Sequence, residues 1–91
     1  MAVAIQLSTV LAKLAGDARE LEAHGATVGE VIADLAARFP NLAPRVRDAS
    51  GAPYEYVTYY LNDEDIRFLG GFAAPVADGD ELTIVPAIAG G

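Results

Sequence analysis

The 91 residues suffice for one compact domain and are too few for two. At 53% hydrophobic and 21% charged residues, the chain holds enough apolar surface to offset the entropy lost on folding, which excludes a disordered half. A formal charge of −7, with Lys13, Arg19, Arg38, Arg45, Arg47 and Arg67 as scattered cations, excludes a phosphate-binding strip and hence nucleic acid as a partner.

Cysteine is absent, which removes disulfides, thiolate metal sites, iron–sulfur ligation and any cysteine persulfide. Residues 1–7 alternate with period two instead of leading a basic patch into an apolar block, and no apolar run approaches the roughly 20 residues of a membrane span. A cytoplasmic protein with no membrane partner is the expectation.

Val3, Ile5 and Leu7 share one face of a half-buried strand over residues 3–7. Val10 to Leu14 is short and interrupted by Lys13. Gly16-Asp17 signals a turn before a weaker strand from Arg19 to Ala23, so the chain opens with a hairpin. Thr27-Val28-Gly29-Glu30 reads as a capping box in which the Thr27 hydroxyl accepts the Glu30 amide and the Glu30 carboxylate reaches back to the Thr27 amide. The helix it starts carries Val28, Val31, Ile32, Leu35 and Phe39 on one face and stops near Phe39, ahead of Pro40.

Residues 41–53 hold Pro44, Asp48, Ser50, Gly51 and Pro53 and read as a loop with one helical turn near Leu42 to Val46. Tyr56 to Leu61 is β-branched or aromatic, with Val57, Tyr59 and Leu61 on one face and Tyr56, Thr58 and Tyr60 on the other. Asn62 to Asp65 reads as a turn and Ile66 to Phe68 as a short strand. Gly70-Gly71 forms a second turn, and Asp78-Gly79-Asp80 leads into a last strand from Leu82 to Val85. The order β-β-α-β-β-β, with one amphipathic helix, predicts an α+β domain whose helix covers one face of a mixed sheet.

Autonomous catalysis finds no support. His24 has no second histidine or cysteine with which to bind metal or activate a nucleophile. Asp63, Glu64 and Asp65 lack the spacing of a calcium loop, Gly70-Gly71 lacks the residues of a phosphate cradle, and Ser8 and Ser50 lie in no nucleophile elbow. No metal and no bound cofactor are expected. What remains is the end of the sequence. Pro86 closes the last strand, and Ala87, Ile88, Ala89, Gly90 and Gly91 continue as a slim arm. Five extended residues reach about 17 Å, and two glycines without Cβ atoms can thread a narrow channel into another protein's active site. Residues 1–86 are thus read as the folded domain and 87–91 as a flexible arm.

The run from Ala77 to Gly91, Ala-Asp-Gly-Asp-Glu-Leu-Thr-Ile-Val-Pro-Ala-Ile-Ala-Gly-Gly, resembles the C-terminal signature of the MoaD/ThiS/CysO sulfur carriers. The likeness extends to Tyr60 through Phe68, to Gly70-Gly71 and to the helix started by Thr27, and points to the CysO branch. It implies the β-grasp, or ubiquitin-like, fold. It also implies that an E1-like enzyme spends ATP to adenylate the Gly91 carboxylate, after which sulfur replaces AMP to give a thiocarboxylate. In that branch the sulfur passes to an activated serine derivative on a cysteine synthase, and a metallopeptidase releases cysteine. Common MoaD tails carry paired aromatics and two prolines where this chain has Ile84-Val85 and Pro86 alone, which argues against the alternative of a molybdopterin synthase small subunit lodged in that enzyme's large subunit. A further alternative is a ubiquitin-like modifier or interaction module. Tyr56, Tyr60, Thr83 and Val85 are candidates for a docking patch on the sheet face away from the helix.

Overall fold

Period-two alternation buries every second side chain of the first strand, β1 (Ala2–Leu7), leaving Val3 and Ile5 fully enclosed. The computed structural model describes residues 2–48, 50–53 and 57–86. After β1 the Ser8 hydroxyl accepts the Leu11 amide at 3.3 Å and starts a single helical turn, α1 (Thr9–Ala12). A 3-10 turn (Lys13–Ala15) follows and ends at Gly16 and Asp17, both at positive φ. The segment from Val10 to Leu14 is therefore helical, and it tucks Leu11, Ala12 and Ala15 under the sheet. The hairpin closes with β2 (Glu20–His24), antiparallel to β1, Ile5 opposite Leu21.

The main helix, α2 (Val28–Arg38), starts where the capping pattern puts it, with the Glu30 amide bonded to the Thr27 hydroxyl at 3.2 Å. The return half of the box differs: Glu30 Oε1 accepts from the Ala26 amide at 3.0 Å, one residue before the position expected. Backbone bonds from Val28 to Ala74 and from Val76 to Ala26 fix this entry against the loop before the last strand. Phe39 leaves helical geometry at φ −128° and ψ 80°, as a residue before proline must, and is only partly buried. The helical turn expected in the long loop is α3 (Ala43–Val46), whose Val46 carbonyl accepts the Tyr59 hydroxyl at 2.6 Å.

In β3 (Val57–Leu61) Val57, Tyr59 and Leu61 point inward; Tyr56, read as part of the same strand, lies outside the described residues. Asn62 and Asp63, at φ 51° and 70°, form a two-residue hairpin turn into β4 (Glu64–Asp65). The predicted turn over four residues is thus a turn of two and a strand of two. The predicted strand Ile66 to Phe68 is instead a 3-10 turn, capped by the Asp65 carboxylate on the Arg67 amide at 2.9 Å. A strand would put Ile66 and Phe68 on one face, whereas the 3-10 turn buries Ile66 and leaves Phe68 78% exposed. Gly70 and Gly71 turn at positive φ as expected.

The last strand, β5 (Glu81–Pro86), extends one residue beyond each predicted end. It lies between β1, to which it is parallel, and β3, to which it is antiparallel, in a sheet ordered β2-β1-β5-β3-β4. Helix α2 lays Val28, Val31, Ile32 and Leu35 across one face, and these residues join Val3, Ile5, Leu7, Val57, Tyr59, Leu61, Leu82 and Ile84 in one core. The other face has no helix over it among the described residues.

Candidate functional site

The five arm positions Ala87, Ile88, Ala89, Gly90 and Gly91, together with Tyr56 of the candidate patch, lie outside the described residues. What the structure fixes is the point from which the arm leaves. Leu82 and Ile84 are fully buried, so β5 is held by the core as well as by a neighbouring strand on each side. Its last described residue, Pro86, stands opposite Val57 at the end of β3.

The other three patch residues do converge on the uncovered sheet face. Tyr60 stands across from Thr83, and Thr58 across from Val85, which is 41% exposed. On its other side Tyr60 is paired with Asp65, whose carboxylate takes the Arg67 guanidinium at 2.8 and 3.0 Å. The two hydrogen bonds donated by the Arg67 guanidinium, with the one from the Arg67 amide, hold the Asp65 carboxyl below the usual carboxylate range, and the same pairing raises Arg67. The exposed Phe68 ring packs beside the same guanidinium. Phe68 was not among the candidate patch residues, and its exposure follows from the 3-10 turn in place of the expected strand.

The start of β5, the end far from Pro86, is pinned to the β3–β4 turn. Asp80 accepts the Ala77 amide at 2.8 Å and the Asn62 amide side chain at 3.0 Å, while Asn62 Oδ1 accepts the Glu81 amide at 3.0 Å. These donors lower the Asp80 carboxyl, the Ala77 amide first. His24 is an exposed surface residue, its ring 3.2 Å from Glu22 and 3.8 Å from Asp34. Among the described residues no group of three or more His, Cys, Asp or Glu side chains is arranged to hold a metal ion, and no helix is long and apolar enough to cross a membrane.

A mixed sheet in this order, with its main helix across one face, defines the β-grasp, ubiquitin-like fold, and the relatives that share it are small sulfur carriers. The chain belongs to the ThiS family, described by that name, which it matches over residues 5–91. It is 43% identical to the sulfur carrier protein CysO of Mycobacterium tuberculosis over 93 residues, covering all of both chains. The crystal structure of that protein superposes with a TM-score of 0.85 over 94% of this chain and 99% of the other. A chain in the crystal structure of the Amycolatopsis orientalis BexX/CysO complex is 42% identical, with a TM-score of 0.89 and coverage of 98% and 99%. Small archaeal modifier protein 3 of Haloferax volcanii is 35% identical over 66 residues, 72% of this chain and 71% of that one.

Proposed function

We propose that this CysO homologue carries sulfur on the carboxyl carbon of Gly91, in a supply line for cysteine biosynthesis. The observation that carries the reading is the match to the family and to CysO that runs through residue 91, on a chain whose last strand is clamped in the core. Residues 1–86 act as the folded body and Ala87 to Gly91 as the arm that enters a partner's active site. The body binds no cofactor of its own, and ATP belongs to the activating enzyme.

A carboxylate is a poor acyl electrophile because its charge is delocalised and oxide is a poor leaving group. Attack by a Gly91 carboxylate oxygen on the α-phosphorus of ATP, with loss of pyrophosphate, gives an acyl-adenylate. Hydrosulfide-level sulfur then attacks the acyl carbon, the C–O bond to AMP breaks, and AMP leaves to give a thiocarboxylate, nucleophilic sulfur on a chain with no cysteine. The partners are an E1-like adenylating enzyme, a cysteine synthase-like acceptor and a metallopeptidase that trims the product, all in the cytoplasm. Tyr60, Thr83 and Val85, with Tyr56, form the docking patch for the activating enzyme. Likeness to a small archaeal modifier favours a second use of the same activated end, its transfer to protein lysines.

Incubation with ATP and the cognate activating enzyme, followed by intact-mass analysis, tests the reading. Pyrophosphate release together with exchange of one terminal oxygen for sulfur is expected. Release followed only by isopeptide conjugates would leave the modifier reading in its place.

A further inference from the structure

Strand β2 is an outer strand of the sheet, so alternate backbone groups along it face away from β1. The Leu7 amide bonds to the Arg19 carbonyl, which makes odd-numbered residues the ones that bond inward. Glu20, Glu22 and His24 therefore turn their amides and carbonyls to the open edge, a ready template for another strand. Two of these groups are already occupied. The His24 amide donates to Asp34 Oδ2 at 2.9 Å, and Arg38 Nη2 donates to the Glu22 carbonyl. The same Asp34 oxygen lies 3.2 Å from Arg38 Nη2, one helical turn away on α2.

In a parallel pair, one residue of the neighbouring strand donates its amide to the carbonyl of residue i and accepts the amide of residue i+2. Arg38 supplies that donor and Asp34 that acceptor. We propose that the Asp34–Arg38 pair is a surrogate strand residue that closes the β2 edge and keeps it from pairing with β2 of a second copy. The second copy is the occupant that the edge suits. An antiparallel, two-fold pairing centred on Glu22 sets Glu20 of each chain opposite His24 of the other, two carboxylate–imidazole pairs of the kind His24 already makes with Glu22 at 3.2 Å, against a single Glu22–Glu22 contact at the axis. Elsewhere in the sheet the opposite outer strand, β4, is only two residues long, too short to template much pairing. Closing β2 thus protects the longer of the two edges. This role is independent of the sulfur chemistry, since neither residue lies on the arm or the docking face.

Native-state hydrogen exchange and sedimentation test it on the full chain. In wild type the His24 amide should exchange several-fold more slowly than the Glu22 amide, which faces the same edge with no partner among the described residues. Asp34→Ala/Arg38→Ala should bring the two rates together, and its mass should rise toward a dimer with concentration, with both amides protected in the dimer. Asp34→Asn keeps an acceptor for His24 and should retain most of the protection. Equal His24 and Glu22 rates in wild type would overturn the proposal without recourse to any variant. So would a folded double variant that stays monomeric at every concentration, or one that associates while both amides still exchange freely.

Discussion

Gly25 sits where the end of β2 meets the first turn of α2. A Cβ there would lie 2.7 Å from both Glu30 Cβ and the Val31 backbone nitrogen. Neither can withdraw without moving the helix start. Gly25→Ala is therefore expected to cost roughly 1–3 kcal/mol, read as a lower urea midpoint, and an unchanged midpoint would show that the contact relaxes freely. Asp80 offers a second test, this one in pH. Its carboxyl is held low in the fold by the Ala77 amide and the Asn62 side chain, so its stabilising effect is complete above the ordinary carboxylate range. As pH falls through that range toward the lowered folded value, the unfolded chain takes up the proton first and the stabilisation is lost. Asp48, held low chiefly by the Ser50 hydroxyl, and Asp65, held low by Arg67, lose theirs in the same acid window. A carboxyl-resonance titration should place the Asp80 midpoint below that of a free aspartate, and Asp80→Asn should flatten the acid limb of stability.

Among the elements, α2 is the one whose removal the core could least tolerate, since it contributes four fully enclosed aliphatic side chains. Leu35→Ala is expected to destabilise by roughly 2–5 kcal/mol with the urea m-value held, as for other buried leucines cut to alanine. This helix was legible in the sequence because all of its signals are local: Thr27 as cap, a stripe at 3.6-residue spacing, and Pro40 as stop. The main strands were legible from period two for the same reason. Ile66 to Phe68 was misread because three residues cannot separate a strand from a 3-10 turn, and the deciding contact, Asp65 on the Arg67 amide, is a capping bond with no apolar pattern. The parallel pairing of β1 with β5 spans most of the chain and leaves no local trace. Of the candidate site, the outward phase of β3 and β5 put Tyr60, Thr83 and Val85 on one sheet face, but gave no sign of the Arg67–Phe68 corner beside it. Tyr60→Ala and Tyr56→Ala should each weaken binding to the activating enzyme by about tenfold or more while the fold is kept. If affinity holds, the Tyr60–Thr83 pair serves only to stabilise the sheet.

At the scale of the whole molecule the proposed function divides the chain into a body that supplies stability and a terminus that supplies chemistry. The body's core is complete by Ile84, and β5 is paired as far as Pro86, so nothing in the packing described depends on Gly91. Deleting Gly91 should accordingly leave the unfolding midpoint unchanged and abolish sulfur loading. The deletion shortens the arm by one extended residue, about 3.3–3.6 Å, whereas a misplacement of about 1 Å at a reacting centre can already cost a hundredfold in rate. Gly91→Ala keeps the reach and adds one methyl beside the reacting carbon, so its loss should be the smaller of the two. Wild type, truncation and substitution are compared with ATP and the cognate activating enzyme, following pyrophosphate release and the mass of the thiocarboxylate. The order expected is wild type, then Gly91→Ala, then the truncation at background. Equal loading of the truncated chain would mean that the enzyme recognises the body and accepts whatever carboxylate follows it, and Gly91 would lose its place as the site.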